Sequence, residues 1–103
     1  MTLHAAVITK DGTGRVTITP DPVIVEEGDR LVWFCRDGNH EGRFDNANPT
    51  DKDRWKGPRN EASAPALEVN ARSDDHFPYT VEIDDGSGFP HAFGHSEVVV
   101  VGH

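Results

Sequence analysis

The sequence predicts an all-β sandwich of seven or eight short strands, and three observations carry that expectation. Apolar and polar residues alternate with period two along much of the chain. No segment sustains a helical period over three turns. Clusters of Gly, Pro, Asp and Asn punctuate the alternating runs at short intervals. The 103 residues suit one domain, expected over 1–103, with a single small core.

Taken in order, residues 3–9 and 15–19 are rich in β-branched side chains and flank Asp11-Gly12-Thr13-Gly14, a hairpin signal. Pro20-Asp21-Pro22 breaks the chain before a short strand at 23–25. Glu26-Glu27-Gly28-Asp29 reads as a turn, because glycine permits positive φ and Asp bonds its own backbone. Residues 30–36 form the clearest strand, with Leu31, Trp33 and Cys35 on one face and Val32 and Phe34 on the other. Both faces are apolar, which predicts a central strand. Residues 42–45 give a short continuation beyond Asp37-Gly38-Asn39.

From 46 to 65 the chain is polar, holds three prolines and lacks periodicity, so 46–64 is expected as a long loop insertion. Order returns at 66–71, where Leu67 and Val69 alternate with Glu68 and Asn70. After a turn at 72–75, Tyr79, Val81 and Ile83 share one side of a strand. Residues 84–95 read as irregular, and four consecutive valines close the chain in a strand packed on both faces.

Charge removes several function classes. Eighteen acidic residues against ten basic ones give a formal charge of -8, which disfavours duplex nucleic acid and anionic membrane surfaces. No apolar run approaches the roughly 20 residues of a membrane span. The lone Cys35 cannot form an internal disulfide, and no signal peptide is visible from residue 1 to 19. The expected compartment is cytoplasmic, or periplasmic or secreted where a signal peptide has been removed. No Ser/His/Asp order and no phosphate-cradling glycine loop is present, so no enzyme chemistry is expected.

The passage ITPDPVIVEEGDRLVWFCRDGNHEGRFD resembles a strand block of the cupredoxins, the family of plastocyanin and azurin. There a Val-x-x-Gly-Asp strand end leads to an apolar strand, a polar loop, and a histidine followed by x-x-x-Phe-Asp. The matching positions are Val25, Gly28, Asp29, the strand 31–35, His40, Phe44 and Asp45. LEVNARSDDHFPYTVEI resembles the penultimate hairpin and SEVVVV the closing strand. The resemblance implies a cupredoxin-like Greek-key β-sandwich and a blue-copper site of two histidines, a cysteine thiolate and an axial methionine. His40 matches the first histidine and His91 is placed for the second. Ile83 stands at the cysteine position, and no methionine follows Met1. A type 1 site cannot form without the thiolate.

The expectation is therefore a divergent cupredoxin-like binding module without type 1 copper. Its candidate metal ligands are His40, His91 and His95, on loops at one end, with Cu or Zn as candidate ions and Asp84, Asp85 or Glu41 as added carboxylates. The bland alternative is that these histidines bond locally. Electron transfer at a remodelled copper site, or a metal-free interaction domain using 46–64 and the Phe89/Phe93 region, are the other readings. His76 and His103 read as exposed. Trp55, beside Lys52, Arg54, Lys56 and Arg59, marks a basic island and a candidate protein-contact loop; the bland alternative is that Trp55 folds back to cover the sandwich with its basic neighbours solvated.

Overall fold

The computed structural model describes residues 2–72, 75–86 and 91–101. Nine strands occur among them: β1 (Leu3–Lys10), β2 (Val16–Thr19), β3 (Val23–Val25), β4 (Arg30–Cys35), β5 (Asn39–Phe44), β6 (Arg54–Gly57), β7 (Leu67–Glu68), β8 (Asp75–Asp84) and β9 (Ala92–Val100). They build a four-stranded sheet in the order β2-β1-β4-β7 and a five-stranded sheet in the order β3-β9-β8-β5-β6. No helix is present among the described residues, and none is therefore long and apolar enough to cross a membrane. Phe89 and His103 lie outside the described residues.

The alternation read from the sequence decides which side chains form the core. Leu31, Trp33 and Cys35 are buried on β4, and Tyr79, Val81 and Ile83 on β8. Leu67 and Val69 are buried beside them, with Val98 and Val100 from β9. The predicted hairpin is β1–β2, paired antiparallel from Val7–Thr19 to Lys10–Val16. Its turn is tied by Asp11, whose Oδ1 accepts from the Thr13 and Arg15 amides at 2.9 and 3.0 Å. β4 is interior to its sheet, between β1 and β7, while Val32 and Phe34 are half-buried on the outer face.

Two expectations are corrected. The stretch 46–64 is not all loop, because Arg54–Gly57 form β6 and pair antiparallel with β5. Trp55 consequently folds back onto the sandwich, as the bland alternative expects; it is 5% exposed. It faces Gly42 across the ladder and stacks on Trp33 of the other sheet, with ring centroids 3.7 Å apart and planes 15° from parallel. A Cβ at residue 42 would overlap the Trp55 ring, so only glycine admits this stack. The irregular stretch 84–95 is also shorter than expected. β8 runs to Asp84 and β9 starts at Ala92.

Asp29 fastens the chain's beginning to the sandwich. Its carboxylate accepts from the Thr2 and Glu26 amides at 3.0 Å and contacts His4 Nε2 at 2.9 Å. Burial pushes its pKa up, but the Glu26 amide, His4 and the Thr2 amide outweigh that and leave it below the usual carboxylate value.

Two outcomes test this packing. Gly42→Val should destabilise the fold by about 2–3 kcal/mol in chemical denaturation, because it unstacks Trp55 from Trp33; an unchanged midpoint and tryptophan spectrum would refute the stack. The Asp29 contribution is present above an ordinary aspartate pKa of about 3.9 and lost as pH falls through its depressed value. Stability should therefore drop less between about pH 5 and pH 2 in Asp29→Asn than in the parent. Parallel acid limbs would exclude Asp29 as the source.

Candidate functional site

β5 places His40 opposite Ile83 of β8 and Gly57 of β6, with its ring turned inward. His40 is 2% exposed. Its Nε2 lies 3.1 Å from the Trp33 carbonyl oxygen, which only accepts, so Nε2 donates this hydrogen bond. Nδ1 has no partner among the described residues. Gly57 makes room for this ring: a Cβ there would lie 2.7 Å from Nε2. Segment 60–63 closes the back, with the Ser63 amide donating to Trp33 O at 2.7 Å and the Trp33 amide to Ser63 Oγ at 2.9 Å.

His91 precedes β9, one step before the Ala92–Ile83 pair, next to the end of β8. Its Nδ1 lies 3.0 Å from Glu82 Oε1 and its Nε2 3.6 Å from Asp84 Oδ2. The Glu82 hydrogen bond, with the charges of Asp84, Glu82 and Glu41, raises the His91 pKa against a smaller opposing effect of desolvation. His40 and His91 both line a cavity of about 550 Å³, with Asn39, Gly57, Glu82 and Asp84 in its wall.

The structure does not bring His95 to this cavity. Residue 95 is not on a loop; it lies within β9, opposite Thr80, and its exposed ring sits 3.0 Å from Thr80 Oγ1. Along β8 that is three residues from the level of His40, roughly 10 Å. It is also on the outer face of the sheet, whereas His40 points inward. The trio expected from the sequence is thus split by strand parity. Among the described residues, no three or more His, Cys, Asp or Glu side chains gather as a metal-holding group.

The remaining residues of a blue-copper set do not fit either. Ile83 is buried beside His40 in the apolar row of β8 and offers no lone pair. Cys35 lies on β4, paired with Ile8 in the other sheet, and burial pushes its thiol pKa up despite amide donors from Asp37 and Gly38. The donor set for type 1 copper is absent from this chain.

No family model matches the sequence, and no curated protein matches it. Solved structures do. A reduced Cu(I) form of a single-residue mutant of amicyanin at pH 4 aligns with a TM-score of 0.56 over 93% of this chain and 81% of that one, at 22% identity. Another amicyanin mutant, also Cu(I), aligns with a TM-score of 0.54 at 19% identity, with the same coverage of both chains. The fold is cupredoxin-like. At this identity the likeness establishes the divergent cupredoxin-like sandwich expected from the sequence, and the copper named for amicyanin belongs to amicyanin.

Sequence reasoning named Asp84 as a possible added carboxylate but missed Glu82. Its signal was available: Glu82 alternates with the buried Val81 and Ile83, which puts it on the outer face with Asp84. The raised pKa gives a direct check. His91 should titrate above the ordinary histidine value of about 6.5 in an NMR pH series, and Glu82→Gln should bring it back toward that value. Its ion pair with Glu82 is complete below the ordinary value and lost as pH rises through the raised one. An unshifted His91 in the parent chain would show that the two side chains do not pair.

Proposed function

We propose that this chain is a small cupredoxin-like binding module, neither a blue-copper electron carrier nor an enzyme, that takes a divalent metal ion between His91 and Asp84. The observation that carries this reading is the 3.6 Å separation of His91 Nε2 from Asp84 Oδ2. Ligand atoms about 2.0–2.2 Å from one zinc-sized ion sit at about this separation from each other. Glu82 supports it from behind. Holding the proton on Nδ1, it leaves the Nε2 lone pair directed toward Asp84, the carboxylate–histidine–metal arrangement of many metal sites. Neutral imidazole with carboxylate suits Zn or Cu(II), and water would complete the coordination. His40 and His95 stand outside this pair of ligands.

Calorimetry with Zn(II) and Cu(II) at pH about 7.5 tests the reading, since a raised His91 pKa makes protons compete with the metal at lower pH. His91→Ala and Asp84→Asn should abolish measurable binding, Glu82→Gln should weaken it about tenfold, and His95→Ala should leave it unchanged. Equal affinity in the parent and His91→Ala would reject the site. The Cu(II) complex should lack an intense thiolate charge-transfer band; such a band would restore the electron-transfer alternative.

A further inference from the structure

The outer face of the five-stranded sheet carries a second cavity, of about 510 Å³, beside β5 and β6. Four basic side chains line it: Arg43, Lys52, Arg54 and Lys56. None makes a side-chain hydrogen bond or ion pair among the described residues, although the chain has eight more acids than bases.

Register arranges these groups in two rows. Arg54, Arg43, Thr80 and His95 lie abreast across β6, β5, β8 and β9. Lys56, Glu41, Glu82 and Phe93 lie abreast in the next row, about 7 Å along the strands. The Phe44 amide donates to the Asp53 carbonyl at 3.0 Å, so by the antiparallel alternation Gly42–Trp55 is a hydrogen-bonded pair and Arg43–Arg54 is not. Non-hydrogen-bonded pairs hold their side chains closest, and like charges directly opposite are destabilising. The register thus sets two arginines directly opposite each other, and among the described residues no carboxylate pairs with either.

We propose that this face docks an acidic, extended segment of a partner protein, its carboxylates held by Arg43 and Arg54 and an apolar side chain held by Phe93. Two guanidinium forks side by side match carboxylates, which they bind in bidentate pairs. Phe93, 58% exposed, ends the second row and offers an apolar platform. The same alternation turns the Arg54 backbone N–H and C=O away from β5, and β6 is the edge strand of its sheet. The next outward carbonyl on β6, that of Lys56, accepts from the Ala64 amide at 3.3 Å, so an incoming main chain can bond the edge at Arg54 alone, a contact a nucleic-acid strand does not offer. Glu41 and Glu82 in the second row also repel a continuous run of phosphates, while a peptide can set its spaced carboxylates over Arg43 and Arg54 at the β5–β6 end of the first row, away from Asp45, whose Oδ1 accepts from Thr80 Oγ1 at 2.7 Å.

The test uses fluorescence anisotropy with a labelled peptide of alternating glutamates around one phenylalanine, its glutamine counterpart, and a ten-residue oligothymidylate. The glutamate peptide should bind, more weakly as salt rises, and the other two should not. Arg43→Gln with Arg54→Gln should weaken binding about tenfold or more while the melting temperature stays equal or rises, because like-charge repulsion is relieved. Phe93→Ser should weaken it with no change in the salt dependence. The proposal is overturned by equal binding of the glutamine peptide, by tighter binding of the oligonucleotide, by an unaffected arginine double variant, or by no binding of the glutamate peptide up to about 1 mM. A lower melting temperature in the double variant would make the arginines structural and would overturn it as well.

Discussion

The stack of Trp33 on Trp55 is the contact on which the rest of this molecule depends. It joins the edge strand of one sheet to the interior strand of the other, and Phe44 and Tyr79 pack edge-on around it. Burying an indole of about 150–250 Å² contributes roughly 4–6 kcal/mol at about 25 cal/mol per Å². That is a large share of the stability of a domain this size. The stack also fixes orientation. With Trp55 committed inward, alternation sends Arg54 and Lys56 outward, and the basic face follows from the hydrophobic core.

A second constraint sits beside the first. The Trp33 carbonyl receives both the Ser63 amide and the His40 ring, so the backbone of the stacked residue holds the segment behind the sheet and the buried His40 together. A buried imidazole in this role is part of the frame. Ile83, opposite it, continues the row of Tyr79 and Val81 and packs as a core residue. His40 therefore has hydrocarbon, not a thiolate, across the ladder from it. Glu82, Asp84 and His91 meet instead on the outer face at the end of β8, where the proposed site lies.

How much of this could be read from the sequence depends on whether local pattern or distant pairing decided each feature. The strands β4 and β8 were legible because alternation over six residues or more states which face is buried. Asp29 in its turn and the β1–β2 hairpin were legible for the same local reason. β6 was not, since Arg-Trp-Lys-Gly holds a single large apolar residue and no periodicity. Its place is set by Gly42, thirteen residues earlier, which leaves space for the indole. His95 was misplaced by the same kind of error. Ala92-Phe93-Gly94 looks like loop, but Gly94 is buried against Val16 of the opposing sheet, and that close approach keeps the strand going and turns residue 95 outward.

The acidic balance of the chain and its basic face are compatible because electrostatics in salt is local. At about 0.1 M ionic strength the screening length is about 10 Å, and the molecule extends 44 Å along its longest axis. A charge approaching β5 and β6 therefore responds to the groups within that distance, Arg43, Lys52, Arg54 and Lys56 together with Glu41, Glu82 and Asp45, and little to acids at the far end. The remaining surface, carrying the excess of carboxylates, repels the same partner. Attraction at one face with repulsion elsewhere favours a single docking orientation, and complementary charge of this kind acts on specificity and encounter rate more than on affinity. Net charge excludes a partner only if charge is spread evenly, and the ladder register shows that here it is not.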